Sequence, residues 1–434
     1  MSLIWQASKG RALSGEITVP GDKSISHRAI MLGAIAEGVT KVSGFLEGDD
    51  TLATARIFQQ LGVKIEMPSA SERIIRGVGL HGLRASAQDL DCGNAGTAMR
   101  LLAGLLAGQN FSSKLVGDAS LSKRPMRRVI EPLTLMGASL QAESGGLPPL
   151  IIDAKNTLQG IEYKAEVASA QVKSAILLAG LYAAGTTTVY EPHPTRDYTE
   201  KMLAAFGWPI EFRPGHATIS GGHRLVAKDI QVPADFSSAA FFIVAATLIP
   251  GSDLLINSVG MNPRRIGLLL ALQLMGANIQ EENRRELAGE PVADLRVKHA
   301  VLTGIDVPES IVPDMIDEFP ALFVAAALAK GETRVSGAAE LRVKESDRIA
   351  VMSEALRKLG GQITETPDGA IIQGGTLHAG ETESHGDHRI AMSLAIAGQL
   401  ADGLVKIRDC DNVATSFPNF IGLSKSVGFE LNLQ

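Results

Sequence analysis

One short phrase recurs six times along the chain: an apolar residue, a glycine, two further residues, then Ile or Leu. It reads Leu61-Gly62 with Ile65, Met136-Gly137 with Leu140, Phe206-Gly207 with Ile210, Met275-Gly276 with Ile279, Leu359-Gly360 with Ile363, and Val427-Gly428 with Leu431. Successive copies stand about 68 to 84 positions apart, so the chain reads as one supersecondary unit written six times. Each unit has the same internal order. A polar or Gly-rich start leads into an Ala/Leu-rich helix, at Lys23-Ser24, Gly93-Asn94, Ser169-Ala170-Gln171, Asp235-Phe236-Ser237, Asp314-Met315 and Asp387-His388. A glycine is expected to end that helix in the left-handed conformation, at Gly38, Gly108, Gly185, Gly251, Gly331 and Gly403. A β-prone run such as Thr186–Tyr190 follows, and then an amphipathic helix such as Asp50–Leu61 or Arg348–Leu359. The recurring glycine closes it before a strand of the Val63-Lys64-Ile65 type. Alternation of helix and strand at this period predicts an α/β protein of six βαβ-like units. A fold of this kind does not by itself name a chemistry.

A length of 434 residues suggests two or three domains at roughly 150 residues each. With 45% hydrophobic and 20% charged residues the chain is not disordered. Its 41 Lys+Arg against 47 Asp+Glu leave a net charge of −6, which argues against a dedicated nucleic-acid binder. The 13 Phe, 4 Tyr and 2 Trp offer little material for stacking bases. Cys92 and Cys410 lack paired spacing, so both read as buried thiols in a reducing compartment. Met1–Arg11 has neither signal nor transit character, and the apolar runs are far short of the roughly 20 residues of a membrane span. A soluble cytoplasmic protein is expected.

The cations gather at the unit starts and loops. Lys23 and Arg28 flank the first start, and Arg100 follows the small residues Gly93-Asn94-Ala95-Gly96-Thr97. Lys123, Arg124, Arg127 and Arg128 fill a loop; Lys173, Arg196, Lys344, Arg348 and Arg389 come later. Helix starts present unpaired N–H groups that favour anions, and Arg offers a planar fork matched to carboxylate or phosphate. Any one of these charges is explained by a solvated surface; their placement at equivalent points of a repeat points to a small substrate rich in negative charge. Gly93–Thr97 is neither a dinucleotide fingerprint nor a Walker loop. In His385-Gly386-Asp387-His388 the aspartate reads as a helix cap, and no metal is expected. Two carboxylates stand among the cations. Asp314 heads a helix in this reading, where it is either a cap or a base. Glu345, between Lys344 and Arg348, is either a first-turn acid or a proton carrier.

Pro20–Arg28, Gly93–Arg100, Arg342–Arg348 and Asp387–Met392, taken together and in this order, resemble the EPSP synthases. Ala168–Lys173 and Lys123–Met126 are similar to the glyphosate-tolerant branch of that family. The resemblance implies a two-domain enolpyruvyl transferase fold, each domain three βαβαββ-type repeats around buried helices. It places 1–20 with 235–434 in the first domain, 21–234 in the second, and the active site in the cleft between them. It implies transfer of the enolpyruvyl group of phosphoenolpyruvate to the 5-hydroxyl of shikimate 3-phosphate, releasing phosphate, with no cofactor or metal. A monomer without nucleic-acid or membrane partners is expected.

Carried over by resemblance, Lys23 touches both substrates and takes part in proton transfer. Ser24 and Arg28 hold the shikimate carboxylate side, while Ser169 and Arg196 bind its phosphate. Asn94, Gly96, Arg124, Arg348 and Arg389 surround phosphoenolpyruvate, and Gln171 packs between the two substrates. Asp314 is the base on the 5-hydroxyl, Lys344 lies near the shikimate hydroxyls, and Glu345 exchanges a proton with the methylene. The chain departs from many relatives at Ala170, at Glu340 and near Thr415, where a serine, an asparagine and a lysine are common. The alternatives are a UDP-N-acetylglucosamine 1-carboxyvinyltransferase and a non-catalytic anion-binding protein. Against the first stand Ser24 and a loop, Ala119–Arg124, with no cysteine; against the second stand Asp314 and Glu345.

Overall fold

The computed structural model describes residues 3–154, 157–287 and 289–434. Among them the α-helices come in pairs: α1 (Lys23–Ile35) and α2 (Asp49–Gln60), α3 (Gly96–Ala107) and α4 (Arg127–Leu135), α5 (Ala170–Gly180) and α6 (Tyr198–Ala205). The remaining pairs are α7 (Phe236–Leu248) and α8 (Gly267–Leu274), α9 (Phe319–Ala327) and α10 (Arg348–Lys358), α11 (His388–Leu400) and α12 (Phe420–Val427). The second helix of every pair ends at the recurring glycine. Gly62, Gly137, Gly207, Gly276, Gly360 and Gly428 all have positive φ, between 80° and 122°, where a Cβ is strained.

The other glycine series follows the same rule except at Gly108, whose φ is −89°. A Cβ there would lie 2.2 Å from Cγ of Tyr182, so that glycine serves close approach rather than a left-handed turn.

Each helix pair carries its own sheet, with one strand order throughout. The strand after the first helix pairs parallel with a short strand, which precedes it in the chain except in the first unit, where Ile230–Gln231 pairs with Glu37–Ser43, and antiparallel with the last strand of the unit. That last strand in turn pairs antiparallel with the strand that follows the second helix. Thr186–Tyr190, for example, runs parallel to Glu162–Lys164 and antiparallel to His216–Ser220, which pairs antiparallel with Ile210–Arg213. The chain ends complete two units: Ser14–Ile17 pairs parallel with Asp253–Gly260, and Trp5–Ser8 lies between Val405–Arg408 and Glu430–Leu433. In the fifth unit the sheet has three strands, and isolated parallel bridges at Thr303–Lys330 and Asp306–Arg334 stand where the fourth would pair.

The chain divides into two compact units. One comprises Met1–Pro20, Pro233–Glu286 and Glu290–Gln434; the other comprises Gly21–Val232 and Leu287–Gly289. Each has its own hydrophobic core. The first helix of each pair lies inside it, which is why it is apolar on all sides; all 13 residues of α7 are buried. The second helix buries one face, as α4 does through Val129, Pro132 and Leu133. Small residues let the inner helices touch by backbone: a Cβ on Gly104 of α3 would lie 2.0 Å from the Ala175 carbonyl oxygen of α5. This architecture is the two-domain, six-repeat α/β fold expected. Among the described residues no helix is long and apolar enough to cross a membrane.

Two local expectations are corrected. Asp314 does not head a helix; it lies in a 3-10 stretch, Glu309–Met315, containing Pro313, and α9 begins at Phe319. Glu345 is not a first-turn acid, because α10 begins at Arg348 with Asp347 as its cap.

Candidate functional site

In the unit built on α1, α3 and α5, the three helix starts are tied together by side chains. Asp22 caps α1, accepting from the Ile25 N–H at 2.9 Å, and Ser169 caps α5, accepting from Val172 at 3.4 Å. At the first position of α1, Lys23 pairs with Asp50 at 2.8 Å. One turn on, Arg28 is only 4% exposed. Its Nε donates to Thr199 Oγ1 at 2.7 Å, one Nη to Ser174 Oγ at 2.8 Å and the other to the Ser24 carbonyl at 2.9 Å. Burial brings its pKa down to about 10, with Glu200 opposing. Arg28 therefore stands as a braced cation below half-buried Lys23 and Ser24.

At the start of α3, Gly96 leaves room for two guanidiniums: a Cβ would lie 2.9 Å from Arg100 Nη1 and 3.5 Å from Arg124 Nη1. Arg124 donates to Asn94 Oδ1 at 2.7 Å, and Asn94 donates to Asp118 at 2.8 Å. Arg100 donates to Gln171 Oε1 at 2.9 Å, while Gln171 Nε2 donates to Thr97 Oγ1 at 2.8 Å. Both ends of the Gln171 amide are thus assigned. Arg196 is half-buried on the loop before α6.

Lys173 does not join the substrate-facing cations suggested by its position. It is 3% exposed and lies 2.8 Å from both Glu191 and Glu200, whose side chains are 1% and 2% exposed. Burial raises Glu200 above the usual carboxyl range, although Lys173 pulls it back. Glu191 also accepts from the Thr195 hydroxyl at 2.5 Å, fixing the loop that carries Arg196.

In the other unit the starts of α7, α9 and α11 are joined by a denser charge network. Arg348 is 1% exposed and meets three carboxylates: Asp387 at 2.8 Å, Glu345 at 2.6 Å and Asp317 at 3.4 Å. Burial opposes its charge, but these acids hold its pKa above the ordinary arginine value. Asp387 also caps α11 through the Arg389 N–H at 2.9 Å. Arg389 donates to the Asp317 carbonyl at 3.2 Å and lies 3.8 Å from Glu318. Glu318, which burial pushes up, accepts from Ser237. Arg265 spans Asp235 at 3.0 Å and Asp317 at 3.3 Å. Asp314 is 8% exposed and pairs with Arg264 at 3.3 Å. Lys344 lies 2.7 Å from Glu340.

Network members that escaped the sequence reading include Asp50, Glu191, Glu200, Arg264, Arg265, Asp317 and Glu318. Arg100 was named among the cations but given no role, although it stands four residues beyond Gly96 and so on the same helix face. Asp317-Glu318, two adjacent acids ahead of an apolar helix, was a weaker signal.

A family model described as EPSP synthase (3-phosphoshikimate 1-carboxyvinyltransferase) matches residues 7–423. The 3-phosphoshikimate 1-carboxyvinyltransferase of Xanthomonas campestris pv. campestris (strain B100) is 65% identical over 428 residues, covering 99% of this chain and 98% of the relative. Its counterpart from Xanthomonas oryzae pv. oryzae (strain PXO99A) is 63% identical over 427 residues, covering 98% and 97%. A solved EPSP synthase from Acinetobacter baumannii has a TM-score of 0.91 and 51% identity, covering 100% of both chains. With the repeat, the paired helix starts and full-length likeness in agreement, the chain belongs to the EPSP synthase family.

Proposed function

We propose that the chain transfers the enolpyruvyl group of phosphoenolpyruvate to the 5-hydroxyl of shikimate 3-phosphate, giving 5-enolpyruvylshikimate 3-phosphate and phosphate. This places it in the shikimate route to chorismate and the aromatic amino acids. The observation that carries the reading is the repetition of one device in both units, helix starts lined with braced arginines, together with Asp314 and Glu345 in contact with Arg264 and Arg348 of one of them. Together the substrates bear two phosphates and two carboxylates, a charge load that such cations accommodate.

Lys23, Ser24, Arg28, Ser169, Arg196 and Lys344 hold shikimate 3-phosphate. Asn94, Gly96, Arg124, Arg348 and Arg389 hold phosphoenolpyruvate, and Gln171, its amide fixed by Arg100 and Thr97, separates the two. Asp314 takes the proton of the 5-hydroxyl as its oxygen bonds to carbon 2 of phosphoenolpyruvate. Glu345 protonates the methylene, then removes a proton as phosphate leaves from the tetrahedral intermediate. Arg348, 2.6 Å from Glu345, steadies that carboxylate as it changes charge. In this reading the enzyme works as a cytoplasmic monomer. Buried Cys92 and Cys410 suit a reducing compartment; burial pushes the Cys410 thiol up to about 12.

Phosphate release measured with each substrate alone and with both tests the reading. Release is expected only with phosphoenolpyruvate and shikimate 3-phosphate together. Release driven by UDP-N-acetylglucosamine in place of shikimate 3-phosphate contradicts it, and so does no release at all.

A further inference from the structure

Arg264 belongs to no part of the substrate-binding set just described, yet it reaches the carboxylate given the role of base. Its Nη1 lies 3.3 Å from Asp314 Oδ2, with the arginine side chain 35% exposed and the aspartate 9%. The geometry is held from both sides. Asn262, 1% exposed, accepts from the Arg264 N–H at 2.9 Å and donates to Glu290 at 2.9 Å, anchoring the loop ahead of α8. The start of α8 presses on the turn that carries Asp314: a Cβ on Gly267 would lie 2.7 Å from the Ile311 carbonyl oxygen and 3.0 Å from the Asp314 carbonyl carbon. Backbone close approach therefore sets the distance between the two side chains.

Several charged groups near this turn hold other partners. Arg265 spans Asp235 and Asp317, Glu318 meets Ser237 and Arg389, and Glu309 accepts from Ser336 at 3.0 Å. None of the eight residues of α8 is ionisable.

We infer that Arg264 is a positioning residue for the transfer: it aims the Asp314 carboxylate and keeps it ionised while two polyanionic substrates lie beside it. The inference rests on Asp314 being the base. The need is physical. Substrate phosphates and carboxylates are like charges that favour the protonated, inactive carboxyl, and a cation in contact opposes them. Deleting that cation raises the pKa of the base, so the acid limb of the rate profile moves to higher pH.

The experiment is kcat/KM for shikimate 3-phosphate against pH for the native enzyme, Arg264→Gln, Arg264→Lys and Asp314→Asn. Arg264→Gln is expected to shift the acid limb upward by about one pH unit, as loss of one partly exposed partner predicts. Its rate on the high-pH plateau should stay within about threefold of native, because the base itself remains. Arg264→Lys, which keeps the charge at a one-third-exposed site, should restore most of the native profile. An Arg264→Gln profile superimposed on native overturns the inference, as does a uniform loss at every pH that Arg264→Lys does not relieve. Asp314→Asn separates the premise: if its plateau rate stays near native, the base assignment fails whatever the arginine does.

Discussion

Arg348 and Asp387 meet at 2.8 Å with side chains 1% and 0% exposed, joining the start of α10 to the start of α11. Asp387 serves twice, since its other oxygen caps α11. Removing Asp387 takes from Arg348 its most enclosed partner and leaves it Glu345 and Asp317.

Asp387→Ala is therefore expected to destabilise the unit containing α7–α12 by about 2–3 kcal/mol, from the lost charge-assisted bonds to Arg348 and the lost cap of α11. Denaturant titration with a probe such as Trp5 fluorescence reads this directly. A loss below about 1 kcal/mol, the size of a helix cap alone, contradicts the buried-pair account.

Glu200 carries a pH signature. Burial, its largest influence, raises the folded pKa above the ordinary 4.5 despite Lys173. Between those two values the native state holds more protons than the unfolded chain, so stability falls as pH rises through that window. Glu200→Gln abolishes this titration and should flatten the stability curve from about pH 4.5 towards neutrality. An unchanged slope places the pH dependence elsewhere.

Two glycines separate backbone strain from steric overlap. At Gly207, φ is +80° and an added Cβ would meet no described atom within 4 Å, so Gly207→Ala should cost about 1 kcal/mol from conformation alone. Gly104→Ala places its methyl 2.0 Å from the Ala175 carbonyl oxygen and must push α3 from α5, costing about 3 kcal/mol or more. Unfolding midpoints of the two variants give the order; equal costs refute it.

Glu340 restrains Lys344 at 2.7 Å. If that lysine contacts shikimate 3-phosphate, Glu340→Gln releases it and lowers KM for this substrate by about two- to fivefold, the worth of a partly exposed ion pair. A raised KM shows that the carboxylate itself assists binding.

The repeat was legible because a left-handed helix end selects glycine almost regardless of context, and the positive φ at all six recurring glycines is that selection seen directly. Gly108 escaped the rule because contact with Tyr182, which is distant in sequence, also selects glycine. Asp314 and Glu345 were found as residues but misplaced as helix positions: Pro313 favours the short 3-10 stretch, and Asp347 is the stronger cap. Arg264 and Arg265 could not be read at all, since pairs such as Arg265–Asp235 join residues about thirty positions apart and leave no periodic trace. Lys173 shows the opposite failure, a cation at the expected position whose partners lie inside.

The central claim is that Arg124 and Arg389 are both anchors for phosphoenolpyruvate. Titration of phosphoenolpyruvate onto the enzyme held with shikimate 3-phosphate, using Arg124→Ala from one unit and Arg389→Ala from the other, tests it most directly. Both variants should weaken binding by about tenfold or more, as loss of a charged anchor predicts, with the fold intact by circular dichroism. Native affinity in either variant contradicts the account.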